Sequence, residues 1–99
     1  MPPYGNWGGV GWSAGVWNND PALTDWDCPA VDAMDEMFKE HDRAYQTQGA
    51  DRSAADYLLV HNLSFYSPKT LYGRFYRVGA IILFTIVPVI REIKKWVLS

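Results

Sequence analysis

Cysteine is nearly absent from this 99-residue chain, which contains Cys28 alone, so no disulfide can form within it. A signal peptide is not visible either, because Met1-Pro2-Pro3-Tyr4 has neither a basic segment nor an apolar one. Release by a non-classical route and excision from a larger precursor both stay open. A long hydrophobic run is also missing: the apolar residues 78–90 would rise only about 20 Å as a helix. We therefore do not expect them to span the roughly 30 Å hydrocarbon core of a bilayer.

The composition is that of a folded chain, with 48% apolar and 15% aromatic residues, and its length suits one domain with a modest core. The net charge of −2 hides an asymmetry. Residues 1–63 carry ten acidic and three basic side chains, whereas residues 64–99 carry one acidic and six basic side chains. The acidic part suits cation binding, and the basic part suits an anionic surface.

Residues 4–13 contain four glycines, a composition that disfavours a helix. Glycines can adopt positive φ angles that turn several backbone carbonyls toward one point, as a hard cation requires. The alternative is a flexible, aromatic-rich terminus. Residues 14–28 lack a periodic pattern and read as a loop.

A first helix is predicted to begin near Cys28-Pro29, with Asp32 and Asp35 close to its positive end, and to stop before Gly49. His41 lies on its apolar stripe. A histidine is well suited to act as a general base near neutral pH, and the adjacent Asp42 could hold a cation beside it. Alternatively, His41 is a core histidine satisfied by hydrogen bonds.

A second helix is predicted from its N-cap Asp51 to about Asn62, and the short connection makes the two helices antiparallel neighbours. Asp56 is placed where it can face His41. Because an unpaired buried carboxylate is costly, we expect His41 and Tyr45 to be its partners.

A third helix is predicted to start with Ser67 as N-cap and Pro68 at its first position, with a kink at Pro88. For residues 78–90 we favour a core helix that packs across the helical hairpin. The alternative is an interfacial membrane helix. Residues 91–98 have the basic, Trp-bearing character of a surface-binding helix.

Three segments in this order resemble the secreted phospholipase A2 superfamily over about residues 4–60, and its cysteine-poor bacterial and viral members in particular. The segments are Tyr4-Gly5-Asn6-Trp7-Gly8-Gly9-Val10-Gly11, then Asp32 to Tyr45 with His41-Asp42 inside it, then Ala55-Asp56. The resemblance implies a mostly α single domain, 1–99, whose core is two antiparallel helices preceded by a Gly-rich calcium loop. Residues 1–28 would be the calcium loop and its extension, 29–63 the catalytic hairpin, and 64–99 an added apolar and basic helix.

The chain departs from the secreted enzymes in consistent ways. Packing would replace their cross-links at six positions that are cysteine there, namely Asn6, Gly8, Met37, Phe38, Ala44 and Ala55. The helix that precedes the calcium loop in those enzymes is missing, which puts the acyl channel in doubt. Residues 78–90 are our candidate for lining the acyl channel in place of that missing helix.

The resemblance also implies the chemistry. Calcium would be held by the carbonyls of Trp7, Gly9 and Gly11 and by the Asp42 carboxylate. His41 would take a proton from the water that attacks the sn-2 ester of a glycerophospholipid, while Asp56 fixes the imidazole and Tyr45 orients Asp56. The cation and the Gly9 amide would stabilise the oxyanion. No nucleophilic side chain is needed, so the lack of a Gly-x-Ser-x-Gly motif does not argue against hydrolysis.

The expected partner is a phospholipid membrane surface rather than a nucleic acid, which suits an effector that is released or carried by a virus. Two alternatives are a non-catalytic relative that binds calcium or membrane, and a membrane-disrupting protein that acts through residues 68–98.

Overall fold

The computed structural model describes residues 2–9, 11–17, 21–47, 49 and 51–98. Within these residues the chain is mostly α, with three α-helices and one small two-stranded sheet. It divides into two compact units, Met1–Asp51 and Arg52–Ser99. The predicted helical hairpin, 29–63, therefore contributes one helix to each unit.

The first unit contains a β-hairpin followed by helix α1. Strands β1 (Trp12–Ser13) and β2 (Val16–Trp17) pair antiparallel, with Trp12 opposite Trp17. The two residues between them, Ala14 and Gly15, have φ angles of 54° and 77°. Positive φ at both central positions is typical of the tight turn that matches the twist of paired strands. The sequence-based assignment of residues 14–28 to a loop is therefore wrong for β2, and a 3₁₀ turn follows at Pro21–Leu23.

Helix α1 spans Ala33–Gln46. The predicted start near Cys28-Pro29 is wrong, because the carboxylate of Asp32 accepts the backbone N–H of Asp35 at 2.8 Å and makes Asp32 the N-cap. The carbonyls of Cys28 and Pro29 instead accept side-chain donors from other parts of the unit. At the other end, Thr47 caps the helix two residues before Gly49, whose φ is 76°, as expected for a stop signal.

The second unit contains helices α2 (Arg52–Ser64) and α3 (Leu71–Leu98). Helix α2 begins directly after Asp51, as predicted. Helix α3 starts later than predicted: Thr70, rather than Ser67, is its cap, because the Thr70 hydroxyl accepts the N–H of Gly73 at 3.0 Å. Pro68 lies before the helix and is buried.

Helices α2 and α3 pack antiparallel. Arg77, near the start of α3, donates to the carbonyls of Leu63 and Ser64 at the end of α2, at 2.6 and 3.0 Å. Arg91, fourteen residues later, reaches Asp56 in the first half of α2. The buried apolar side chains of the two helices include Leu59, Leu63, Tyr76 and Ala80.

The apolar segment 78–90 is not the core helix that we favoured from the sequence. The structure describes this segment throughout, and Ala80 is its single buried residue. The segment also lies inside a continuous 28-residue helix that runs through Pro88. The length of residues 78–90 therefore does not decide the question of a membrane span, since α3 has 28 residues and contains an 18-residue stretch with a mean hydropathy of 1.6, long and apolar enough to cross a bilayer.

Candidate functional site

The glycine-rich segment of the first unit is held by one buried carboxylate. Asp35 is fully buried, and its oxygens accept the backbone N–H groups of Trp7 at 2.8 Å, Asn6 at 3.0 Å and Val31 at 2.9 Å. Three donors of this kind compensate for the loss of water around a buried charge. Sequence reasoning placed Asp35 only at the positive end of α1. Its role as the anchor of the loop was missed because the donors lie up to 29 residues away.

Gly5 leaves room for this anchor. Its φ is 54°, and a Cβ atom built on it would lie 2.5 Å from the carboxyl carbon of Asp35. A larger residue would therefore be strained twice, by backbone conformation and by contact. Two further hydrogen bonds fix the same turn: the Tyr4 hydroxyl donates to the Asp32 carboxylate, and the Trp12 indole donates to the Gly5 carbonyl at 3.0 Å.

The side chain of Trp7 is buried against α1. Its indole N–H donates to the Cys28 carbonyl at 3.2 Å, and its ring stacks on Trp26 with centroids 5.2 Å apart. The ammonium of Lys39 lies 5.2 Å from the centre of the Trp7 ring and also donates to the Cys28 carbonyl. The Lys39 contact attaches the loop to α1 about one turn beyond Asp35, and the other two attach it to the segment before the helix.

Gly8 also brings the loop close to α1, at Phe38, about one turn beyond Asp35. A Cβ atom at Gly8 would lie 3.0 Å from the ring of Phe38 and 2.9 Å from the Cβ of Tyr4. Gly8 and Phe38 are two of the positions at which the resemblance places cysteines in the secreted enzymes. Close packing joins these two positions, as the sequence analysis expected for a chain without cross-links.

The predicted calcium loop has the backbone character that was expected of it. Gly9 and Gly11 have φ angles of 136° and 72°, which side-chain-bearing residues rarely adopt. The Gly9 carbonyl accepts the N–H of Trp12 at 3.2 Å, which leaves its second lone pair for another partner. Among the described residues, no three His, Cys, Asp or Glu side chains cluster as a metal site. The predicted ligand set contains one such side chain, Asp42, and three carbonyls.

Asp42 lies against the end of the glycine-rich segment. The Ser13 hydroxyl donates to its carboxylate at 3.3 Å, so β1 and the middle of α1 meet at this oxygen. The pKa of Asp42 is raised from 3.8 to about 7: burial raises it most, the Ser13 hydrogen bond lowers it in part, and the negative charge of Asp35 makes a smaller contribution that raises it. The environment of this carboxylate favours either a proton or a cation.

His41 is buried, with 7% of its surface exposed. Its ring packs on that of Tyr45, with centroids 4.4 Å apart, which confirms that the two share one face of α1. This burial is compatible with both the general base and the core histidine of the sequence analysis.

Asp56 belongs to the second unit, where it is fully buried and lies 3.0 Å from the guanidinium of Arg91. This ion pair gives the buried carboxylate a partner of opposite charge. The sequence analysis missed Arg91 because the two residues are far apart in the chain. The pairing of Asp56 with His41 and Tyr45 stays a prediction.

Comparison with protein families, with curated proteins and with solved structures finds no match for this chain. The likeness to the phospholipase A2 superfamily thus rests on the residues quoted above.

Proposed function

We propose that this protein is a calcium-dependent phospholipase A2 that hydrolyses the sn-2 ester of glycerophospholipids and releases a fatty acid and a lysophospholipid. The observation that carries the proposal is the hydrogen bond between Ser13 and Asp42. It brings the end of the glycine-rich loop to the residue next to His41. A cation ligand, Asp42, and a general base, His41, would then occupy consecutive positions of one helix.

The donor set suits calcium. Calcium prefers several oxygen ligands in a flexible arrangement, and a loop with positive φ angles can supply neutral carbonyls at Trp7, Gly9 and Gly11. Asp42 would add the one negative ligand. Its raised pKa supports this role, because a carboxylate that is poorly solvated gains more from a nearby cation than an exposed one does. When bound, the cation would polarise the ester carbonyl and stabilise the oxyanion that develops there.

Residues next to the cation would take up the proton of the attacking water and stabilise the oxyanion. His41, buried against Tyr45, would accept a proton from the attacking water, directly or through a second water. The Gly9 amide would donate to the oxyanion. Following the resemblance, Asp56 would fix the imidazole and Tyr45 would orient Asp56.

Mass spectrometry of phosphatidylcholine vesicles incubated with the protein tests the proposal. We expect equimolar fatty acid and lysophospholipid in calcium, and neither product in EGTA. Fatty acid released from the sn-1 position alone, or equal release in EGTA, would contradict it. Binding of calcium without any product would instead identify a non-catalytic relative.

A membrane-disrupting protein that acts through residues 68–98 is the second candidate, and the exposed apolar surface of α3 favours it. That function predicts leakage of vesicle contents in EGTA, with no lysophospholipid formed. Leakage that requires calcium and follows product release would count against it.

A further inference from the structure

Helix α3 carries a continuous apolar stripe on its exposed side. We define the apolar stripe as Phe75, Val78, Ile82, Ile86, Val89 and Ile93, whose exposed fractions are 70, 49, 54, 47, 55 and 55%. At about 100° per residue these six positions fall within an arc of about 80°, and they extend over about 27 Å of helix. Isolated apolar residues are common on protein surfaces, but a patch of this length indicates a binding partner.

The apolar stripe lies on the side of α3 that faces away from α2. Tyr76 and Ala80 are buried, and Arg77 and Arg91 bond to α2. By the helical period these four residues centre about 170° from the stripe. The stripe is therefore not the face that stabilises the second unit.

The residues that flank the stripe distinguish a lipid partner from a second copy of the chain. In a water-soluble pair of helices, charged side chains border the apolar seam. Residues 78–90 contain no charged residue, and within this fully described segment Thr85 is the single polar side chain that is exposed. The surroundings of the stripe are apolar as well, which suits a hydrocarbon environment.

The C-terminal end of α3 has side chains that suit the head-group region of an anionic bilayer. At the C-terminal end of α3, beyond its apolar residues 78–90, Lys94 and Lys95 are exposed, and Trp96 is 79% exposed next to them. Basic side chains are attracted to anionic head groups, and tryptophan prefers the membrane interface. Residues 64–99 carry a net charge of +5, which favours the same surface.

The position of α2 decides how α3 can meet the bilayer. Because Arg77 and Arg91 tie α2 alongside residues 78–90, a membrane-crossing α3 would place α2 in the hydrocarbon. Arg52, Ser53 and His61 are exposed on α2, and such groups are costly there. An α3 that lies in the plane of the membrane keeps α2 on the aqueous side.

We infer that the apolar stripe of α3 inserts into the surface of an anionic phospholipid bilayer, with the helix axis parallel to the membrane plane. Insertion to the depth of an interfacial helix buries the six stripe residues and leaves the basic end among the head groups. This anchoring requires neither calcium nor hydrolysis. It therefore stands or falls separately from the proposed catalytic activity.

Co-sedimentation with vesicles in EGTA tests the inference. Ile82→Asp introduces a charge into the stripe, and Leu58→Asp is its matched control, since Leu58 is 57% exposed on α2. On vesicles of phosphatidylcholine and phosphatidylglycerol, we expect Ile82→Asp to weaken partitioning at least about tenfold and Leu58→Asp by less than about twofold. Equal losses in the two variants, or equal binding to vesicles of phosphatidylcholine alone, would overturn the inference. Circular dichroism establishes that both variants are folded.

A fluorescent label measures the depth of insertion. In a Cys28→Ser background, Ile86→Cys carries a polarity-sensitive dye, and nitroxide lipids quench it from either a shallow or a deep position. We expect a blue shift on vesicles and stronger quenching by the shallow lipid. Stronger quenching by the deep lipid would indicate a membrane-crossing helix and overturn the in-plane arrangement. A blue shift in the absence of lipid, together with a dimer in sedimentation velocity, would show that the apolar stripe binds a second copy of the chain instead of a membrane.

Discussion

The backbone N–H of Trp7 donates to the carboxylate of Asp35 at 2.8 Å, across 28 residues of chain. A segment rich in glycine has little order of its own, because glycine loses more conformational freedom on folding than any other residue. The order of the glycine-rich loop therefore comes from the first turn of α1. The candidate calcium loop is therefore held directly by the helix that carries His41.

Replacing Asp35 by Asn tests that relationship. The amide has one acceptor oxygen where the carboxylate has two, and its NH₂ group would face at least one of the three backbone donors. We expect a loss of about 2 to 4 kcal/mol in the free energy of unfolding, measured by denaturation. Asp27→Asn is the control, because Asp27 is exposed, and its effect should stay within about 0.5 kcal/mol. A parent-like Asp35→Asn would show that the loop is ordered by other contacts.

Asp42→Asn should remove calcium binding while the protein stays folded, because the amide takes the place of the only charged ligand proposed. Isothermal calorimetry measures the affinity. Glu40→Gln is the matched control on the same helix, where Glu40 is exposed and pairs with Arg43 at 3.5 Å, and its calcium affinity should equal that of the parent. Unchanged affinity in Asp42→Asn would remove Asp42 from the ligand set.

The pKa of Asp42 predicts how pH affects the calcium-free protein. Folding raises this pKa from 3.8 to about 7, so between these values the folded state binds a proton that the unfolded state does not. The contribution of Asp42 to stability is therefore greatest below about pH 4 and is lost as the pH rises to 7. Between pH 4 and 8 in EGTA, the parent should lose on the order of 2 to 4 kcal/mol relative to Asp42→Asn.

The same pKa predicts that calcium binding releases a proton. At pH 6 Asp42 is mostly protonated in the calcium-free protein, and calcium requires its carboxylate form. Calorimetry in two buffers with different ionisation enthalpies should give close to one proton per ion at pH 6 and close to none at pH 9. Binding without proton release at pH 6 would contradict the assignment.

His41→Gln separates the catalytic from the structural role of the buried histidine. Glutamine can form a hydrogen bond in that position but cannot accept the proton of the attacking water. If His41 is the base, the variant keeps its fold and its calcium affinity and loses hydrolysis by two to four orders of magnitude. If His41 is a core histidine, stability falls by about 1 to 3 kcal/mol and the folded fraction keeps its activity. His61→Gln is the control, since His61 is exposed on α2.

Ala14 offers a stabilising substitution in the β-hairpin. Its φ of 54° is unfavourable for a residue with a Cβ atom, and asparagine tolerates this conformation better. We expect Ala14→Asn to raise the free energy of unfolding by about 0.5 to 1 kcal/mol. Gly15→Ala should have the opposite effect, because the φ of Gly15 is 77° and its Cβ would approach the Asn6 side chain at 3.2 Å. A destabilised Ala14→Asn would contradict this account of the turn.

The parts of the fold that could be predicted depend on local patterns. Apolar spacing and stop signals located all three helices, and the glycines indicated a loop with positive φ. The hairpin was missed because Ala14-Gly15 is a weaker turn signal than Asn-Gly or Asp-Gly. The true start of α1 could not be found because Asp32, not the proline at position 29, supplies the cap.

The candidate site was predictable where residues are neighbours in sequence and not where they are distant. His41, Asp42 and Tyr45 share one helix, so their common face follows from its period. The anchor Asp35 and the partner Arg91 act across the chain, and no sequence period reports such contacts. The length argument on a membrane span counted only residues 78–90, because Arg77 and Arg91 were taken as the ends of the apolar segment, although arginine is a good helix former.

Arg77 and Arg91 fix the register of helices α2 and α3 in the second unit. Apolar contacts between helices are not directional, so Leu59, Leu63, Tyr76 and Ala80 by themselves would allow α3 to slide along α2. A slip of one helical turn, about 5.4 Å, would separate Arg91 from Asp56 and break both hydrogen bonds of Arg77 at the same time. The pair of helices is thereby restricted to one alignment, from which neither sliding nor rotation of α3 is free of cost.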